Sequence, residues 1–147
     1  MTDSTPRLTL PLLAAGQAQK EITHNEALVL IDALIGAQVV AVNVVSPPVT
    51  PVAGECWAVG AAPTGVWAGQ AGQIAVTTAG GWRFCNVPDG FAVRLSSVAN
   101  WRRSGSVWVA PPVAAAPTGG TVIDSEARAT IGALRSALIA AGLLAAS

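Results

Sequence analysis

Residues 7–35, RLTLPLLAAGQAQKEITHNEALVLIDALI, constrain this chain more than any other stretch. An extended apolar segment comes first: Leu8, Leu10, Leu12 and Leu13 surround Pro11, which fixes φ and removes a backbone donor. A polar elbow follows, formed by Gln17, Gln19, Lys20, Glu21, His24, Asn25 and Glu26. Thr23 and Glu26 have the spacing of a capping box, in which each side chain satisfies a backbone N–H that the first helical turn leaves orphaned. Beyond them Ala27, Leu28, Ile31, Leu34 and Ile35 recur at helical spacing, with Asp32 off the apolar face. The stretch reads as arm, elbow and amphipathic helix, ending near residues 36–38.

The elbow carries the residue types of a catalytic or metal site, His24 with Glu21 and Glu26. A zinc site of the helical type needs a second His four residues from the first, so that both reach the ion from one face. His24 is the sole histidine, and no Ser or Cys nucleophile with an activating partner stands beside it. A hydrogen-bonded corner that fixes the angle between arm and helix is the simpler reading. The expectation is a protein that is not an enzyme and needs no cofactor or metal.

The run LPLLAAGQAQKEITHNEALVLIDAL resembles the opening of an uncharacterised domain family found in prophage and gene-transfer-agent tail-fibre and head-spike proteins. GVWAGQAGQIA at 65–75, GGWRF at 80–84 and the tail GGTVIDSEARATIGAL at 119–134 are similar to the same family. Together they span most of the chain. The resemblance implies a structural or adhesive role on the surface of a phage-like particle assembled in the cytoplasm. It carries over no catalytic residue. The arm is too short to build a core of its own, so Leu8, Leu10, Leu12 and Leu13 are expected to attach to a neighbouring subunit or to the particle.

Composition agrees with a role in assembly. The 147 residues suffice for one domain with a modest core. They are 52% hydrophobic and only 11% charged, against roughly 25% charged in an ordinary soluble domain. So much apolar surface points to burial against other subunits. No uncharged apolar run reaches the roughly 20 residues needed to span a bilayer, so membrane insertion is not expected, and without an Arg- or Lys-flanked apolar segment in its opening residues Sec export is not expected either. Eight basic residues balance eight acidic ones. Arg102 and Arg103 beside Trp101 are the nearest thing to a phosphate-binding stripe, so no nucleic-acid partner is expected. Cys56 and Cys85 form no zinc pattern; buried free thiols are the default, with a disulfide left open.

The middle of the chain reads as β structure. Residues 39–45 are rich in β-branched side chains and read as a first strand, or as a helix tail turning into a strand; SPPVTPVAG at 46–54 ends it as an extended connector. Short strands are expected at 55–59, 73–78, 82–86, 91–95 and 106–109, with turns at 79–81 and 87–90 and a connecting segment around 100–103. On the strand at 82–86, Trp82 and Phe84 face one way and Arg83 and Cys85 the other. A mostly antiparallel unit of about five or six strands results. The run GVWAGQAG lacks the Gly-Lys-Ser/Thr ending of a phosphate loop.

Five tryptophans also suit a carbohydrate-binding adhesin that recognises a cell-surface polysaccharide. Trp57, Trp82 and Trp108, on strands, read as core or interface anchors. Trp67 and Trp101, in loop-like segments, are the better ligand platforms.

Residues 110–120, APPVAAAPTGG, form a semi-rigid linker. Beyond it 124–141 is the clearest helix, capped by Asp124 or Ser125, with Glu126 favoured near its positive end. Ala127, Ile131, Leu134, Leu138 and Ala141 recur at steps of four, three, four and three, the seam by which a helix wraps around a like helix. Packing back on the β unit is the alternative.

The expected architecture is α+β: an arm, helix and β domain over 1–109, a linker over 110–120, and an oligomerisation or attachment helix over 121–147. Ile131, Leu134, Leu138 and Ala141 are the expected homo-oligomer interface. The expected partners are further copies of the chain and other virion proteins. The whole is a head-spike or tail-fibre-base component that serves host attachment.

Overall fold

A computed structural model describes residues 4–16, 20–95, 99–121 and 124–146. Residues 1–3, and Gln17 and Gln19 of the polar elbow, lie outside the described residues. The fold is α+β, with one helix before the β unit and one after it. In chain order the elements are α1 (Lys20–Leu34), β1 (Gln38–Val39), β2 (Ala41–Val44), β3 (Cys56–Val59), β4 (Ile74–Thr78), β5 (Gly81–Cys85), β6 (Ala92–Leu95), β7 (Ala99–Ser104), β8 (Val107–Val109) and α2 (Ser125–Ala140).

The strands make two four-stranded sheets, ordered β1-β6-β7-β8 and β2-β3-β4-β5. Among the described strands only the pairs β1/β6 and β2/β3 are parallel. The single strand expected at 39–45 is therefore two: one extended segment breaks at Val40 and supplies an edge to each sheet. The segment around 100–103 is not a connector but part of β7, paired with β6 and β8. Its alternation was present in the sequence, with Trp101 and Arg103 half-buried between the exposed Arg102 and Ser104.

Asn43 joins the sheets. It sits at φ +54° where the β2–β3 register shifts. Its side chain donates to the Trp108 carbonyl at 2.8 Å and accepts from the Trp108 N–H at 2.8 Å, replacing main-chain pairing at the edge of β8. Gly60 makes the bulge possible: a Cβ there would lie 2.7 Å from the Asn43 carbonyl oxygen.

β4 is the buried centre of its sheet, and alternation sends its side chains to two cores. Ile74 and Val76 join Cys56, Ala58 and Cys85 against Val39, Val93 and Trp108 of the other sheet, with Ala33 and Ala37 from the end of α1. On the opposite face, Ala75 leaves room for Trp57, Trp67, Trp82 and Phe84. There the indoles meet edge-on, with Trp82 centred 5.3 Å from Trp57 and 5.0 Å from Trp67.

Candidate functional site

The arm lies on its own helix. Asn25 grips Leu13 at both ends of the peptide unit, accepting from its N–H at 2.9 Å and donating to its carbonyl at 3.0 Å. Glu21 accepts from the Gly16 N–H at 3.3 Å. Asp32 accepts from the Arg7 N–H at 3.0 Å and the Leu8 N–H at 2.6 Å. Arg7 in turn donates to the Ala33 carbonyl at 2.6 Å, satisfying an acceptor that the helix end leaves open. Residues 21, 25 and 32 fall on one face at steps of four and seven, so α1 presents a polar rail to an extended chain. Pro6 rests on Gly54, where a Cβ would come within 2.5 Å of its ring.

This geometry corrects two expectations. α1 begins at Lys20, so Thr23 is already inside the helix and caps nothing; Glu26 pairs instead with Arg83 on β5. The apolar face is also rotated. Asp32 is 1% exposed, whereas Ile31 and Ile35 are about half exposed, and Leu30, Ala33 and Leu34 meet the core. Placing a carboxylate inside is tolerable because two backbone N–H groups receive it.

Of the four arm leucines, Leu8 and Leu13 hold their backbone against α1 and Leu10 bonds back to Thr5; Leu8 stays 45% exposed, and Leu10, Leu12 and Leu13 are half-buried. Leu12, Ile22 and Val29 line an apolar groove of about 210 Å³ that ends at the 78–80 turn. A larger cleft, about 400 Å³, opens between Arg7, Gln38, Glu55 and Cys56. His24 lies exposed on α1, and the carboxylates of Glu21 and Glu26 are engaged with Gly16 and Arg83. Among the described residues no three His, Cys, Asp or Glu side chains gather as a metal ligand set.

The tryptophan candidates separate. Trp67, at the end of a 3-10 turn over Gly65–Trp67, is wholly buried, so its ring offers no face to a sugar. The loop folds inward because Ala75 and the neighbouring indoles leave a slot for it. Trp101 is half-buried on β7 and packs at the margin of the main core. Arg102 and Arg103 both bind the 87–90 turn: Arg102 donates to the Gly90 carbonyl, and Arg103 donates to the Val87 carbonyl and lies 3.9 Å from Asp89.

Cys56 and Cys85 are free and buried. Cys56 faces Val76 across one side of β4 and Cys85 faces Ile74 across the other. Two strand spacings of roughly 4.8 Å separate them, too far for the Cα separation of under about 7 Å that a disulfide requires. Burial pushes the Cys56 thiol up to about 11, against a smaller opposing pull from Arg7, and burial also raises Cys85.

At the other end, the Asp124 side chain caps α2, accepting from the Ala127 N–H at 2.9 Å. The linker folds back along the helix. Arg128 donates to the Pro117 and Gly119 carbonyls, Arg135 to Ala114, and Ala145 N–H to Pro112 at 2.9 Å. No residue of α2 is buried. Ile131 and Leu134 are 47% and 60% exposed, Ala141 is exposed and Leu138 half-buried. No described helix is long and apolar enough to cross a membrane.

A family described as "Protein of unknown function (DUF2793)" matches residues 24–109, from the second turn of α1 to the end of β8. No curated protein matches the chain.

Proposed function

The chain belongs to the DUF2793 family, and on that premise we propose that it is a structural component of a phage-like particle or gene transfer agent. In this reading it is a head-spike or tail-fibre-base subunit that joins a fibre or adhesin to the particle. The observation that carries the proposal is the C-terminal helix: its seam residues Ile131 and Leu134 stand in solvent beside a β body whose largest side chains are turned inward. An apolar strip that the described residues leave uncovered suits the surface of an assembly protein. The exposed Leu8 of the arm and the 11% charge content support the same reading.

In this role the β unit is the rigid body. The arm and tail face other virion proteins and further copies of the chain, at the particle surface. The adhesin alternative is less well supported: Trp67 is internal, which leaves the half-buried Trp101 as its platform. The test is incorporation. Particles purified from cells that express the tagged chain should contain it at a fixed ratio to the capsid protein. Removal of residues 121–147 should abolish that incorporation while leaving the β unit folded. Particles that lack the full-length chain would overturn the proposal, as would glycan turnover by it.

A further inference from the structure

We infer that α2 pairs in parallel with the α2 of a second copy of this chain, each copy's linker lying along the flank of the partner's helix. The inference rests on the assembly reading for its setting but stands on the geometry of the helix itself.

With Ile131 as an a position, Ala127, Leu134 and Ala141 are d positions and Leu138 is the next a. The linker covers one flank only. Arg128 and Arg135, both at e, reach its carbonyls, and Gly132 and Ile139 beside them are partly buried. The other flank is open: Thr130 and Ala137, at g, are exposed together with Ala127, Ile131, Leu134 and Ala141 of the seam, while Leu138 is half-buried. What fits there is a helix with the same four-three spacing. The exposed apolar residues Ile22, Ala27 and Ile31 of α1, with Ile35 just past its end, are spaced five, four and four apart and make no such seam.

Charge points to a like copy. Within α2 neither the seam nor the g row carries a charged residue, and Asp124, at the a position before Ile131, is engaged as the N-cap. The two arginines of the e row are turned onto their own linker. Along the helix two copies therefore meet without like charges face to face.

Orientation follows from the linker. An antiparallel pair sets e against e, so linker would meet linker. A parallel pair sets e against g, and each linker meets Thr130 and Ala137, which are small enough to leave it room. A 16-residue helix is about 24 Å long, a short seam for a lasting pair. The exposed Val113 of the linker extends the apolar contact. Parallel pairing also places both β units at one end of the assembly.

Disulfide trapping in the full chain tests this, because the native thiols are buried. Ala127→Cys under mild oxidation should convert nearly all of the protein to a covalent dimer. Ala129→Cys, at f on the exposed outer face, should give almost none. Mixed chains carrying Ala127→Cys and Ala141→Cys should not cross-link to each other. A dominant 127–141 product would establish an antiparallel pair and overturn the inference. Equal trapping at 127 and 129 would do so too, as would a monomeric mass for the parent chain at all concentrations. A chain that enters particles as a monomer would sink this inference while leaving the virion reading intact.

Discussion

The two ends of the chain use one device to different effect. At each, an extended segment is strapped to a helix by side chains that bond its backbone: Asp32, Asn25 and Glu21 hold the arm on α1, and Arg128 and Arg135 hold the linker on α2. α1 turns its other face to the core, where Ala33 is 2% exposed. α2 buries nothing. A strap beside a buried face is part of the fold, and cutting it costs stability. A strap beside an exposed face fixes only the helix's presentation. Local hydrogen bonding is therefore a poor guide to which end is structural; the opposite face of the helix decides.

The sharpest way to break this comparison is Asp32→Ala. It strands the Arg7 and Leu8 N–H groups, and losing the partner of two donors in a buried setting costs about 3 kcal/mol. The midpoint of thermal unfolding should fall by roughly 6–12 °C. An unchanged midpoint would mean that the arm is an appendage like the tail. Asn25→Ala removes two bonds from a less buried site, and chemical denaturation should show a loss of about 1–2 kcal/mol.

The core beneath the arm makes a further, pH-dependent contrast. The thiols of Cys56 and Cys85 are raised by burial, so the unfolded chain loses their protons first as pH climbs past about 9. The folded state binds more protons in that window, so stability falls between pH 9 and 11. One Lys and no Tyr leave little else to titrate there. Cys56→Ala should flatten the decline, measured as midpoint against pH. Smallest of all is Arg135→Ala. It frees a linker carbonyl at the exposed end, and the β unit should lose at most about 0.5 kcal/mol.

Much of the β unit was legible in the sequence because period-two alternation and glycine or proline turns are local signals. Trp82 and Phe84 do face away from Cys85, and β3, β4, β5, β6 and β8 lie where the pattern puts them. What misled was long-range. Asp32 looks solvent-facing until the arm, 24 residues earlier, supplies its partners. Trp67 looks like an exposed loop indole until Ala75 opens a slot for it. Trp101 and Arg103 alternate correctly for a strand, but two adjacent arginines disguised β7. Asn43 gave no signal, since its role is the edge of a strand 65 residues away. For the candidate assembly surface, the four-three seam of α2 was readable, and its exposure was not.

Sedimentation of Leu134→Asp beside the parent chain tests the central claim most directly, because this residue is 60% exposed and has no role in the β unit. In an assembly each copy would set a desolvated carboxylate against its neighbour's, at a cost of several kcal/mol on an order-of-magnitude view, about enough to dissociate it. The account predicts a parent that sediments as an oligomer and a variant that sediments as a smaller species, with tryptophan fluorescence and thermal midpoint of the β unit unchanged. Equal sedimentation coefficients for the two, or a variant whose β unit unfolds, would contradict it.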